Sequence, residues 1–356
     1  MAPDLLPDSI RETLHSWREA LGAPGAAIAV RCPGQPDRIA TGGCDGSTAM
    51  PSDRLVRIAS LTKTFTSALV LDLVGRGELA LADPAGRWVP GYPNASEITV
   101  RSLLDHTAGT ADPIFDAYAD YLELLLSDLG RSYAPAEVVD LAARRPAHHR
   151  PATEYRYSNT DYALLGCILE SIIGDPFATI VHDRITRPLG LNDTGFGLAV
   201  PAELAHGWFD LGSDGTPGPH LNRNLDIVDF PNEALLSLAY AAGGMTSSLT
   251  DLLTWAQALY LGDFLTQPMR AALLESPTHP DPEGGRHGLG VFAYGTAPPS
   301  DRPIAYGHTG NIVGSSTFVA AFPRTATVVA VHANVLEVPA PALVRLAFTA
   351  AGEDTP

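Results

Sequence analysis

Strand-like apolar runs lie at both ends of this chain, and a long, largely helical stretch separates them. Residues 25–30 read Gly-Ala-Ala-Ile-Ala-Val, and 38–42 supply a hairpin partner. Residues 288–294, 315–322 and 327–333 alternate or run apolar, with Pro323-Arg324-Thr325 as a turn between the last two. This order predicts an α+β protein: one antiparallel sheet built from both chain ends, flanked by helices, plus an inserted mostly helical region. Ile10, Leu14, Trp17 and Leu21 recur at helical spacing over 9–21, and Leu343, Leu346 and Ala347 mark a closing helix over 341–350. Further helices are expected over 60–74, 162–173 and 250–260, and irregular loops over 200–232, where Pro, Gly and Asp are frequent. A length of 356 residues accommodates one catalytic unit over 1–356. Its α/β part is expected over 1–75 and 240–356, and its mostly helical part with long loops over 76–239.

A formal net charge of −17 argues against nucleic acid or an anionic membrane as partner, because both reward basic patches. No run reaches the roughly 18 apolar residues of a membrane span. The opening Met1-Ala2-Pro3-Asp4-Leu5-Leu6-Pro7-Asp8 lacks the basic and apolar regions of a secretory signal, so the expected location is cytoplasmic. Cys32, Cys44 and Cys167 stand far apart with no C-x-x-C, which favours reduced core thiols over a zinc site or a disulfide framework.

Three short motifs carry chemistry. Ser60-Leu61-Thr62-Lys63 sets a hydroxyl and an amine one helical turn apart, close enough for a neutral lysine to take the serine proton. Tyr157-Ser158-Asn159 stands in a polar stretch just before a helix, and His308-Thr309-Gly310 precedes the strand expected over 315–322. The order, spacing and flanks of all three resemble the serine β-lactamase and penicillin-binding-protein superfamily, nearest its DD-carboxypeptidase, D-aminopeptidase and class C-like esterase branch. Flanking stretches extend the resemblance over most of the chain: 102–109 (Ser-Leu-Leu-Asp-His-Thr-Ala-Gly), 157–166, and the glycine turn at 241–245.

That resemblance implies the roles. Ser60 is the nucleophile that carries the acyl group, while Lys63 and Tyr157 are the proton carriers, with the first base left open between them. Asn159 holds Lys63 and a substrate amide. The backbone N–H groups of Ser60 and Asn311 form the oxyanion hole, Thr309 and Gly310 bind substrate, and H-T-G lies on a late strand beside the nucleophile. A lysine acting as base near neutrality must fall by about 3 pH units, roughly 4 kcal/mol. Many β-lactamases have a lysine in the third motif. His308 stands here instead, mostly neutral at pH 7, which weakens the case for a dedicated β-lactamase and fits the peptidase and esterase relatives. The implied function is a serine hydrolase working through a Ser60 acyl-enzyme on a small amide, peptide or ester, plausibly containing a D-amino acid. An acyltransferase of a natural-product pathway is the alternative: a transacylase, amide synthase or peptide cyclase using the same acyl-enzyme. The partner is then a small-molecule acyl substrate, with a second nucleophilic acceptor in the transferase case. No cofactor or metal is implied, and the oligomeric state stays open. The polar run around His148 and His149 reads as surface, and His106 as a packing residue of its loop. Arg286 and His287 are candidates to bind a substrate carboxylate, and Tyr155 and Trp208 to line a pocket, with packing favoured for the latter two.

Overall fold

In the computed structural model, which describes residues 4–197, 203–209, 225–226, 228, 231–281, 285–295, 303–335 and 338–354, the two chain ends meet in one sheet. Its successive antiparallel strands are Arg38–Asp45, Gly25–Arg31, Thr327–Ala333, Ser315–Phe322, Ala305–Ile312 and Phe292–Tyr294. Register places Ile39, Ala29, Ala330, Val319 and His308 in one row across five strands. Side chains alternate between the faces of a strand, so that row shares one face. Its apolar members belong to the larger core, which contains Phe65, Ala68, Trp255 and Leu165. The neighbouring row of Ala40, Ile28, Val331 and Phe318 packs instead under the terminal helices Asp8–Ala20 and Ala340–Ala351. The alternation that pairs the strands thus also turns His308 toward the catalytic side.

The helix after the S-x-x-K serine, Thr62–Gly75, is buried on nearly every face over its first three turns. A helix so placed must satisfy its polar side chains internally. Thr66 Oγ1 donates to Ala241 O at 2.7 Å, Ser67 Oγ to Leu289 O at 2.5 Å, and Trp255 Nε1 to Thr64 Oγ1 at 2.8 Å. Helices Asn159–Ile173 and Glu233–Gly243 pack against it and carry the second motif and the glycine turn.

Most expected elements are present, with informative differences. The strand expected over 288–294 is broken into Arg286–His287 and Phe292–Tyr294. Between them Gly290 takes φ +80°, and a Cβ there would lie 2.5 Å from Ser67 Cβ, so the chain turns to pass close to the nucleophile helix. The division at 239/240 falls inside the helix Glu233–Gly243, at a kink on Tyr240. At the sheet edge Asp4–Leu5 pairs parallel with Arg38–Ile39. The three cysteines are unpaired and half-buried, not core residues. Of the loops expected over 200–232, residues 210–224 lie outside the described residues, while Trp208–Phe209 pairs with Leu225–Asp226. Among the described residues no single helix is long and apolar enough to cross a membrane.

Where the terminal strands meet, the seam is closed by a buried amide. Asn334 Oδ1 accepts from Gly25 N at 2.6 Å, and its Nδ2 donates to Cys44 O at 3.0 Å. Asn334→Ala leaves both backbone groups unpaired and is expected to lower stability by about 2–3 kcal/mol in urea denaturation. A change under about 0.5 kcal/mol would show that the amide does not hold the seam.

Candidate active site

The nucleophile sits at the start of the buried helix, in a 3₁₀ turn over Ala59–Leu61. Ala59 takes φ +48°, a strained angle for a residue with a Cβ. Lys63 follows one turn later with its side chain buried. Its Nζ lies 3.0 Å from Ser60 Oγ, 2.7 Å from Asn159 Oδ1 and 2.8 Å from Ala242 O. These three partners match the three protons of an ammonium. Two of them are carbonyls that can only accept. When Lys63 loses a proton, its remaining two N–H bonds stay with the carbonyls, and its lone pair points at the Ser60 hydroxyl. Burial pushes the Lys63 pKa down to about 7, with Asp112 and Asp161 opposing the shift. Neutral lysine is therefore well populated at neutral pH, in the orientation a general base needs.

Each carbonyl is itself held. Asp112 Oδ2 accepts from Asn159 N at 2.6 Å and from Asn159 Nδ2 at 3.0 Å, which leaves Asn159 Oδ1 directed at Lys63. Ala242 O is turned to Lys63 by the kink at Tyr240, where φ is 40° and ψ −135°. The same kink sends Ala241 O to Thr66 Oγ1. Strained backbone on both sides of Lys63, at Ala59 and Tyr240, is held by the packing around it.

Tyr157 lies beside the lysine, with Nζ 4.8 Å from its ring centroid. Its ring also meets those of His106, His287 and His308 at 4.3, 6.2 and 6.5 Å. All three histidines are buried. Burial lowers His308 to about 3, and its Nδ1 lies 2.6 Å from Thr309 O, where it donates. It is neutral at physiological pH, as its residue type suggested, and its side chain is as enclosed as that of Lys63. His287 is likewise enclosed, and the exposed Arg286 donates from one Nη to Thr278 O at 3.0 Å. His106 does pack under the site, with Nδ1 2.9 Å from Asp161 Oδ2. Burial raises the Asp161 carboxyl well above its ordinary range and lowers the His106 imidazole, which drives both toward their neutral forms. Tyr155 is tied by its hydroxyl to Asp281 Oδ2 at 2.6 Å, and Trp208 stacks on His206.

The strand Ala305–Ile312 brings His308, Thr309, Gly310 and Asn311 alongside the nucleophile turn. A Cβ on Gly310 would lie 2.2 Å from Ile58 O, so only glycine lets the strand approach the turn this closely. Ser315 Oγ donates to Arg57 O at 2.7 Å and Thr317 Oγ1 to Ile58 O at 3.2 Å, pinning the strand pair to the two residues before Ala59. On this strand Phe292–Tyr294 reaches no further than residues 305–307, which leaves the edge of 308–312 without a described sheet neighbour.

Asp112, Asp161, Tyr240 and Ala242 O were not foreseen as site residues. One signal was available in composition: Lys63 is the sole lysine among 23 Lys and Arg. The kcat/KM of an amide or ester substrate is expected to rise with pH through a midpoint near 7 as Lys63 deprotonates. Lys63→Arg, which cannot deprotonate, is expected to lose at least about a thousandfold. A flat profile between pH 5.5 and 8.5 would exclude Lys63 as the titrating base.

A family model described as Beta-lactamase matches residues 10–352. Penicillin-binding protein 4* of Bacillus subtilis is 26% identical over 279 residues, covering 76% of this chain and 58% of that protein. Esterase EstB of Burkholderia gladioli is 34% identical over 192 residues, covering 51% of this chain and 47% of EstB. The match thus spans less than two thirds of the length of either relative. Among solved structures, D-amino acid amidase of Ochrobactrum anthropi SV3 complexed with D-phenylalanine superposes with a TM-score of 0.82 at 26% identity. That likeness covers 97% of this chain and 98% of the amidase.

Proposed function

We propose that this chain, which belongs to the beta-lactamase family of serine hydrolases, hydrolyses small amides of D-amino acids through a Ser60 acyl-enzyme. The observation that carries the reading is the Lys63 environment: an amine whose burial pushes its pKa down to about 7, with its one hydrogen bond to a non-carbonyl partner directed at Ser60 Oγ. The amide class is supported by the full-length likeness to a D-amino acid amidase. Neutral, buried His308 also supports it, since the third motif then offers no fixed cation for an anionic lactam.

Neutral Lys63 takes the Ser60 proton as Oγ bonds to the carbonyl carbon, and the oxyanion faces the backbone N–H groups of Ser60 and Asn311. The C–N bond then breaks as the leaving amine collects a proton from Lys63 or Tyr157. A water, deprotonated through the same pair, attacks the ester and restores Ser60. Removing the nucleophile stops the cycle at its first step.

D- and L-leucine p-nitroanilide, assayed beside a Ser60→Ala control, test the proposal. The D-isomer is expected to lead by at least about tenfold in kcat/KM, with the control at background. An L preference, or turnover that survives Ser60→Ala, contradicts it. Faster capture of the acyl group by an added amine than by water would assign the site to transfer instead.

A further inference from the structure

Arg57 lies three residues before the nucleophile and is the one buried arginine among the described residues. Its guanidinium meets neutral acceptors. Nε donates to Asn232 Oδ1 at 2.9 Å and Nη1 to Ala205 O at 3.4 Å, while Nη2 has no hydrogen-bond partner among the described residues. Burial pushes its pKa down to about 9, with Asp226 opposing the shift. Enclosing a cation against neutral groups costs free energy, so stability alone gives no reason for an arginine here.

The contacts of Arg57 supply one. Asn232 is the N-cap of the helix Glu233–Gly243, yet its side chain makes no capping bond. An asparagine at that position ordinarily accepts from an N–H of the first turn. This one accepts from Arg57 instead. The backbone of the same stretch holds the helix at its other end. Arg57 pairs with Thr246 where Val56–Arg57 meets Met245–Ser247, and Ile58 N donates to Met245 O at 3.1 Å. Residues 57–58 thus grip the kinked helix from just before its first turn to just past its last. That helix carries Tyr240, whose backbone angles aim Ala242 O at Lys63 Nζ. Arg57 O also accepts from Ser315 Oγ, so one residue joins the kinked helix, the nucleophile turn and the strand pair of the third motif.

We infer that Arg57 is a positioning residue: through Asn232 it fixes the helix Glu233–Gly243 so that Ala242 O stays on Lys63 Nζ. The inference rests on the Lys63 base proposed above and deepens it. A carbonyl acceptor favours the ammonium over the neutral amine. A helix released from Arg57 withdraws that acceptor, and the Lys63 midpoint falls. Loss of the Arg57 charge by itself acts the other way, because removing a nearby cation makes protonation easier. Asp112, Asp161, Tyr157, Tyr162 and the three buried histidines beside Tyr157 also face Lys63, and none of them is altered in the variants below.

Arg57→Met removes the donors and keeps an apolar stem, while Asn232→Ala removes the acceptor and keeps the charge. The two are tested singly and combined. In protein labelled with [ε-¹³C]lysine, each is expected to lower the Lys63 midpoint by at least about 0.5 pH unit. This readout needs no substrate, so it stands apart from the substrate assigned above. With D-leucine p-nitroanilide, each is expected to lose at least about tenfold in kcat with KM within about threefold of the parent. The double variant is expected within about threefold of the worse single one, because both substitutions break the same link. A purely structural role would lower the urea midpoint and leave the Lys63 midpoint and kcat of the folded protein in place. That result overturns the proposal, as does an upward shift or a double variant whose losses multiply. Asn232→Ala carries the test should the methionine variant fail to fold. A parent midpoint near 7 that stays there in the folded variants overturns the role of Arg57 alone, whereas a parent midpoint near 10 overturns Lys63 as the base.

Discussion

The buried amine of Lys63 is the constraint on which the rest of this site depends. A lysine can be enclosed this fully only if its protons are accepted or its charge is given up, and here both conditions are nearly balanced. Three acceptors stabilise the ammonium, desolvation opposes it, and the carboxyl of Asp161 is itself driven toward its neutral form. Folding pays a measurable amount for this. Between pH 10.5 and 7 the unfolded chain is charged at this position while the folded chain is not, so stability falls as pH drops through that window. Below pH 7 the full penalty applies, on the order of 4–5 kcal/mol.

The fold supplies what that balance requires. Strands from both chain ends form the sheet, and its register sets His308 on the catalytic face beside the nucleophile turn. The inserted helices close over the other side and contribute Asn159 and Ala242. Neither part alone encloses the amine: the nucleophile helix comes early, the second motif from the insertion, and Ala242 from the kinked helix that leads back to the sheet. Local strain at Ala59 and Tyr240 is sustained because each lies in fully packed surroundings.

Much of this was legible in the chain itself. The period-2 runs at 315–322 and 327–333 and the i, i+3 spacing of Ser60 and Lys63 depend on local geometry, which sequence encodes directly. What escaped was set by tertiary contact. The burial of His308 could not be read from its motif, because a histidine can stand in either setting, and it is the strand row, Tyr157, His287 and Phe292, 4.9 Å from its ring, that enclose it. Asp112 lies far along the chain from Asn159 and has no motif of its own. Ala242 acts through a carbonyl, which no side-chain pattern reveals, and it is aimed by a backbone angle at Tyr240 that tyrosine rarely adopts.

Because Lys63 is the chain's sole lysine, its titration can be followed without assignment. Protein labelled with [ε-¹³C]lysine gives one side-chain signal, whose shift against pH reports the charge on Nζ. A midpoint near 7 is the predicted result and would establish the buried amine as a base available at neutral pH. A midpoint near 10 would contradict the account, leaving Lys63 a fixed cation and moving the first proton transfer to Tyr157.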